Sequence, residues 1–219
     1  FGNGYVYSSA HISADQAETE LRQKLGLLEA DVSARHLKMR VGRADSHWHK
    51  NCLAIGLSQG FIEPLEATAL MLVQFSAQEF IRQYSTENLN NISKAQESYN
   101  DTINNSFSAI RDYVQTHYLI NNRNDTDYWI QNRNNTNVSA RLQEIIQTWD
   151  NGGDLSQILE KYESTVAYLK PSWYTIFAGM GRFPEAKTTS PIEAAPAHMA
   201  KIYCEEIANG FQDHLKALK

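Results

Sequence analysis

The feature that most constrains the fold is an apolar stripe in the middle of the chain that repeats with helical spacing. Its members follow one another at steps of four, four, three, four and four residues: Tyr99, Ile103, Phe107, Ile110, Val114 and Tyr118. Because residues three or four apart lie on one face of a helix, the stripe predicts one long helix buried along one side. We interpret its aromatic members as packing residues rather than as a cofactor site.

Other segments in the same part of the chain also favour helices. Residues 65–84 are helical by length and composition. A second stripe is closed by Gly152-Gly153 and consists of Val138, Leu142, Ile145, Ile146 and Trp149. Ser190-Pro191-Ile192-Glu193 combines a capping serine, a proline at the first helical position and a glutamate three residues after the cap. It predicts the start of a last helix with Ile207, Phe211 and Leu215 on one face.

The N-terminal third carries shorter, mixed signals. The run Tyr5-Val6-Tyr7 favours a short strand, the alternation over 37–41 predicts a half-buried strand, and the apolar run 52–55 predicts a buried one. Between them, Ser13 and Gln16 form a capping-box pattern. That pattern predicts a helix to about Leu25, with Gly26 as its C-cap.

Together these patterns predict a mainly α fold with a short strand-containing N-terminal piece. We place that piece at residues 1–75 and an all-helical part at residues 76–219. The chain opens with Phe1-Gly2-Asn3-Gly4-Tyr5, which reads as the middle of a strand-rich domain. We therefore expect a further N-terminal part to precede it.

Composition excludes several classes of function. A net charge of −5 without a dense Lys/Arg run argues against a nucleic-acid partner. No apolar stretch approaches the roughly 20 residues that a bilayer requires. Cys52 and Cys204 lack metal-type spacing, so we expect reduced core thiols in a cytoplasmic protein. His47-x-His49 lacks a third ligand at suitable spacing, so we expect no metal site.

The segment from Cys52 to Thr68 has the local features of a ligand site. A strand is followed by a loop with Gly56 and Gly60 and then by a helix start near Pro64 to Ala67. The free amides and positive dipole end of such a helix suit an anion or the polar edge of a cofactor. The same pattern, with glutamates in a first helical turn, also occurs on ordinary surface helices.

A family resemblance favours the first interpretation. Residues 48–68, WHKNCLAIGLSQGFIEPLEAT, resemble the block W-x-x-N-C-x-A-I-G-x-x-x-G-F-x-E-P-L-E-[SA]-T of flavin-dependent tryptophan halogenases. Further ordered matches extend from Gly4 to Pro184, and they are GYVYSS at 4–9, RVGR at 40–43, RDY at 111–113, HY at 117–118, RNDTDYW at 123–129 and FAGMG at 177–181.

The resemblance implies that the first part belongs to an FAD-binding α/β domain and the second to a helical, pyramid-like substrate domain. In such enzymes reduced FAD, oxygen and a halide ion (chloride or bromide) together produce hypohalous acid. This acid reaches a catalytic lysine through a tunnel and halogenates an electron-rich aromatic ring. A separate flavin reductase, an aromatic or peptide-borne substrate and a homodimer are the implied partners.

The resemblance also implies the site residues. Glu66 is the catalytic acid residue, which positions the halogenating species or takes the ring proton. The amides of Thr68 and Ala69 hold the halide. The flavin is lined by Gly56, Leu57, Ser58, Gln59 and Gly60. The substrate is contacted by Glu163, Tyr168 and Trp173, whereas we interpret His117 as a structural histidine.

The sequence departs from tryptophan-specific members in three places. Ala67 and Ala69 stand where those members commonly have Ser and Gly, and the substrate region 154–174 is shorter. Ala167 and Tyr168 replace a Phe-Trp pair, although Glu163 keeps an acidic position. We therefore expect a larger or less tightly held indole or phenol rather than free tryptophan.

Two other functions remain open. One is a related FAD-dependent monooxygenase that does not halogenate, and the other is a non-catalytic helical binding module. The phosphate-binding turn, the catalytic lysine and the W-x-W-x-I-P block of the family would lie upstream of Phe1. On this interpretation the 219-residue chain alone is inactive.

Overall fold

A computed structural model of the chain describes residues 2–85, 91–163, 166–184, 194–211 and 216. It divides into two compact units, Phe1–Pro184 and Glu185–Lys219. The expected helix start at 190–193 and Leu215 lie outside the described residues. The proposed division at residue 75 stays a prediction.

Helices dominate both units, which confirms the mainly α prediction. In chain order they are α1 (Ala14–Leu25), α2 (Thr68–Ser85), α3 (Ile92–Leu119), α4 (Asp127–Arg133), α5 (Ala140–Asp150), α6 (Leu155–Lys161), α7 (Lys170–Gly179) and α8 (Ala194–Gly210). None of the described helices is both long and apolar enough to span a membrane.

The central helix α3 organises the first unit. Its stripe is buried as predicted, from Tyr99 to Val114, with Tyr118 partly buried. The N-terminal half of α3 packs with Trp48 and with Leu72 of α2. The C-terminal half packs through Tyr113 against the apolar faces of α5, α6 and α7. One helix therefore supports two neighbouring cores.

Helix α1 begins and ends where its caps predict. The Ser13 hydroxyl accepts from the Gln16 amide, and the Gln16 side chain accepts from the Ser13 amide. Gly26 closes the helix at φ 68°, a left-handed conformation that glycine adopts without a steric penalty.

The strands are much shorter than predicted. Two antiparallel pairs occur, in which β1 (Gly42–Arg43) pairs with β4 (Gly60–Phe61) and β2 (Trp48–His49) pairs with β3 (Cys52–Leu53). The strands expected at 5–7 and 37–41 are wrong, since neither segment is paired in the structure. Leu37 is 63% exposed and Val41 71%. An alternating pattern forms a strand only where a partner supplies hydrogen bonds and an apolar face.

The two cysteines also differ from expectation. Cys52 and Cys204 are both free thiols, but both are exposed, so their placement in a core was wrong. Cys52 is the first residue of the two-residue strand β3, in which it is exposed and Leu53 is only partly buried. The buried strand expected at 52–55 is therefore wrong. Ile207 of α8 and Phe211, which follows the last residue of α8, are exposed as well.

Candidate functional site

A short strap, which we define as residues 56–60, leads from β3 toward α2. It begins at Gly56, whose φ is 68°, makes a 3-10 turn over Gly56–Ser58 and ends in β4. Gln59 is buried, and its side chain exchanges hydrogen bonds of 3.0 and 3.1 Å with the hydroxyl of Ser76 on α2. This contact anchors the strap while Leu57 and Ser58 stay exposed.

The chain then passes through a strained kink. Glu66 and Ala67 have φ values of 62° and 52°, and such left-handed backbone costs a non-glycine residue roughly 1–2 kcal/mol. The α-helix therefore starts at Thr68, one residue after the range Pro64 to Ala67 in which its start was expected. Strained backbone of this kind concentrates at functional sites, where the surrounding structure holds it in place.

The kink sends Glu63 and Glu66 to different partners. Tyr118 donates a short hydrogen bond to the carboxylate of Glu63. Glu66 Oε1 lies 3.4 Å from Nε2 of His117. In one helical turn the two glutamates would share a face. The left-handed residues direct them apart instead, so each contacts a different side chain of α3.

The first turn of α2 is the candidate anion site. The amides of Thr68 and Ala69 open an 18-residue helix, where backbone N–H groups have no partner within the helix. Thr68 is buried, and its hydroxyl donates to the Leu65 carbonyl at 2.9 Å. Ala69 is exposed. The helix dipole adds a partial positive charge at the same place.

Aromatic side chains form the adjoining wall. Tyr168 stacks on Tyr113 with ring centroids 3.9 Å apart, and its hydroxyl lies 2.9 Å from that of Thr68. Trp173 meets Tyr113 edge-on at 5.0 Å and is fully buried. Tyr168 is itself held at φ 73°. Tyr168 therefore contacts both α3 and the start of α2.

Burial keeps the phenols of this wall neutral. It raises the pKa of Tyr113 to about 12, and the negative charge of Glu66 adds to the effect. Burial likewise raises the pKa of Tyr168, again with a contribution from Glu66. Burial and the Glu63 carboxylate raise the pKa of Tyr118. Each hydroxyl can therefore donate a hydrogen bond at neutral pH.

A cavity of about 190 Å³ joins the strap to the anion site. Its lining includes Gly56, Leu57 and Gly60 on one side and Thr68 and Ala69 on the other. The volume holds a halide ion with a few waters, since water occupies about 30 Å³ in the liquid. It is too small for a flavin ring system.

A larger groove of about 920 Å³ lies between the segment from Tyr5 to Ile12, α1 and residues 123–131. Two of its charged groups have partners, in the Arg123–Asp125 pair and the hydrogen bond from Tyr5 to Glu20. We assign the site to the smaller cavity because it adjoins the strained kink and the free helix amides.

The structure brings most of the expected site residues together. Four strap residues (Gly56, Leu57, Gln59 and Gly60) line the cavity together with Thr68 and Ala69. Tyr168 and Trp173 lie in the aromatic wall, which Tyr168 joins to Thr68, and Glu66 contacts His117. Glu163 has no contact with these residues and is exposed in the turn after α6. Neither the anchoring role of Gln59 nor the contact between His117 and Glu66 was predicted from the sequence. Tyr113 and His117 are one helical turn apart, and this spacing could have indicated that His117 lies on the same face of α3 as Tyr113.

The two histidines of His47-x-His49 do not form a metal site. His47 is buried, stacks on Phe107 and bonds to Asn104, whereas His49 is exposed. Burial lowers the pKa of His47. Across the described ranges, no group of three or more His, Cys, Asp or Glu side chains is placed to hold a metal ion.

Comparison with known proteins places this geometry in context. A sequence model described as tryptophan halogenase matches residues 1–196. The tryptophan 6-halogenase SttH of Streptomyces toxytricini is 38% identical over 125 residues, which are 57% of this chain and 24% of that protein. The chain therefore spans about a quarter of this relative's length.

Solved structures agree over almost the whole chain. The thermophilic tryptophan halogenase Th-Hal from Streptomycin violaceusniger superposes with a TM-score of 0.78 at 30% identity, covering 91% of this chain and 39% of that one. BrvH, a flavin-dependent halogenase from Brevundimonas sp. BAL3, gives a TM-score of 0.72 at 32% identity, covering 93% and 39%.

Proposed function

The chain belongs to the tryptophan halogenase family, and from this membership we propose that it forms part of a flavin-dependent halogenase acting on an electron-rich aromatic ring. The observation that carries the proposal is the cavity that connects the strap with the amides of Thr68 and Ala69, next to Glu66. When bound, reduced FAD supplies, with oxygen, the oxidation of halide to hypohalous acid.

The strap would contact one edge of the flavin. Leu57 and Ser58 are exposed, and the positive φ of Gly56 turns the backbone toward the cavity. Gln59 serves by holding the strap against Ser76 rather than by reaching outward. The amides of Thr68 and Ala69 would hold the halide, because amides at a helix start bind anions without a charged side chain.

Glu66 would act as the base that takes the ring proton. Its carboxylate is about half exposed and is held by a strained backbone next to the anion site. Tyr168 and Trp173 would form the substrate wall, with Glu163 at its rim. A phenol at Tyr168, hydrogen-bonded to Thr68, supports an indole or phenol substrate held differently from free tryptophan, whether a small molecule or part of a peptide.

From the family resemblance we also propose that a separate flavin reductase supplies the reduced flavin, that the protein forms a homodimer and that it is located in the cytoplasm. The complete protein that carries this chain should be expressed with a flavin reductase and supplied with NADH, oxygen and either chloride or bromide. Tryptophan, indole, phenol and a tryptophan-containing peptide serve as probes. We expect a halogenated product, detected by mass spectrometry, whose formation requires halide.

Two results would decide between the alternatives. Oxygenated product that forms equally well without halide would identify a monooxygenase. A protein that binds no flavin, together with a reading frame that starts near Phe1, would identify a binding module. Glu66→Gln should lower turnover by about 100-fold or more, the usual contribution of a general base. Glu29→Gln, at an exposed glutamate elsewhere, should leave it unchanged.

A further inference from the structure

His117 is held in one tautomer by its own helix. Its Nδ1 lies 3.0 Å from the carbonyl oxygen of Tyr113. A carbonyl oxygen can only accept a hydrogen bond, so Nδ1 must carry the proton. In the neutral ring Nε2 is then a bare acceptor, and this is the atom that faces Glu66.

The contact between Nε2 and Glu66 therefore lacks a proton when both groups are in their basic forms. An ionised carboxylate and a bare imidazole nitrogen are both acceptors, and 3.4 Å is longer than a good hydrogen bond. A proton placed between them converts the pair into an imidazolium–carboxylate pair. Such pairs commonly tighten only when the site is loaded.

We propose that His117 is a proton relay and positioning residue that acts through Glu66. This inference rests on the proposed function. The C–H bond at the halogenated ring carbon breaks, and its electron pair returns to the ring. The proton goes to a carboxylate oxygen of Glu66 and from Oε1 to Nε2 of His117. Glu66 is thereby restored as a carboxylate.

The surroundings leave an exit for the proton. The His117 side chain is 17% exposed, so the imidazolium can release its proton to water. The ionisable groups that face the pair are Tyr113 on α3 and Tyr168 on the substrate segment. Burial and the Glu66 charge keep both phenols protonated. Neither competes for the transferred proton near neutral pH.

The first test reads the proton directly and needs no substrate. Histidine ring nitrogens of the complete protein are labelled with ¹⁵N and observed by NMR at mildly alkaline pH, with His117→Gln identifying the signal. We expect the neutral ring of His117 to carry its proton on Nδ1, with Nε2 bare and facing Glu66. Glu66→Gln should shift the Nε2 resonance, because a glutamine amide can donate a hydrogen bond to the bare nitrogen whereas a carboxylate cannot.

A control exists at a matched pair on the surface. His36 lies 2.7 Å from the carboxylate of Glu18, and Glu18→Gln should leave the His117 signal unchanged. A ring proton on Nε2 instead of Nδ1, or an Nε2 resonance that Glu66→Gln leaves unchanged, would overturn the proposal.

The second test measures turnover in the complete enzyme. His117→Gln should lower kcat about 10- to 100-fold with little change in KM, since a glutamine amide cannot accept the proton. Turnover in D2O should then show a solvent isotope effect that the parent enzyme lacks, because removal of the exchangeable proton from Glu66 has become slow. Added imidazole should restore part of the turnover of His117→Ala. His36→Gln is the matched control.

The two proposals can fail separately. If product forms without halide but the Nε2 resonance of His117 depends on Glu66, halogenation fails and the contact between His117 and Glu66 stands. If halide is required but His117→Gln changes KM or thermal stability alone, without an isotope effect or imidazole rescue, His117 is only structural and the relay fails.

Discussion

The part of the chain before α2 and the helical part from α3 to α7 are built in opposite ways. In the first, strands have two residues each and Leu37, Val41 and Leu57 are exposed. In the second, Tyr113, Trp173, Phe177 and their neighbours form a continuous buried cluster. Helices close their backbone hydrogen bonds internally, whereas strands depend on partners.

The site lies where these two regions meet. The first contributes a strained loop that carries Glu63, Glu66 and the strap. The second contributes the side chains that contact the loop, namely His117 and Tyr118 of α3. The Glu66 carboxylate is thus on a loop, while the side chain that it contacts is on a helix.

The largest difference between the two regions should be in the unfolding free energy that is lost when an apolar side chain is truncated. Phe177 is completely buried, and Phe177→Ala should cost about 3–5 kcal/mol of unfolding free energy. Leu57 is 84% exposed, and Leu57→Ala should stay within about 0.5 kcal/mol. Urea unfolding measures both. Equal losses would show that the strap is packed as tightly as the helical core.

The buried ion pair between α3 and α5 should give the next largest effect. Asp112 is buried and accepts from Arg141 Nε at 3.0 Å and from the Ser139 hydroxyl at 2.7 Å. Asp112→Asn should cost about 2–3 kcal/mol, because a charged donor loses its partner. Glu18→Gln removes a surface pair with Arg22 in α1 and should shift the urea midpoint much less.

Substitution of glycine by alanine should instead cost more stability in the strand-containing region than in the helical one. A Cβ at Gly60 would lie 2.7 Å from the Gly42 carbonyl and 2.9 Å from Phe107, so Gly60→Ala should cost about 1–3 kcal/mol through overpacking. A Cβ at Gly179, at the end of α7, meets nothing within 4 Å. Gly179→Ala should be neutral or stabilising by up to about 1 kcal/mol. Thermal unfolding of both variants checks this, and a tolerated Gly60→Ala would contradict the β1–β4 packing.

The smallest effect should appear at alkaline pH. Burial raises the pKa of Tyr113 from 10.0 to about 12, so the folded state holds this proton more tightly than the unfolded chain. The resulting stability is complete below pH 10 and is lost as the pH rises toward 12. Between pH 11 and pH 12 this loss should reach about 1–2 kcal/mol, and it should be absent in Tyr113→Phe.

The measurement is the unfolding free energy at a series of pH values from neutral to strongly alkaline. Tyr5 provides the comparison from the other region: it is exposed, and its hydrogen bond to the Glu20 carboxylate raises its pKa. Tyr5→Phe should flatten the alkaline slope less than Tyr113→Phe does, because water screens the exposed Tyr5–Glu20 pair. A slope that is the same in Tyr113→Phe and the parent would contradict the pKa assigned to Tyr113.

Local patterns predicted the helical part well because its information is local. The stripe from Tyr99 to Tyr118 and the caps at Ser13 and Gly26 depend on residues within a turn or two of one another, and the structure confirms them. The strands at 5–7 and 37–41 and the buried position of Cys52 were wrong for the opposite reason. Their outcome depends on partners that no short window of sequence contains.

The sequence by itself determined the central helix, the family and the block that ends in Glu66. Only the tertiary structure decided what that block contacts. Two left-handed residues at the kink turn Glu63 to Tyr118 and Glu66 to His117, and Gln59 turns inward to Ser76. Helical periodicity specifies which residues share a face, whereas contacts between a loop and a distant helix depend on backbone dihedral angles and packing that no periodicity encodes.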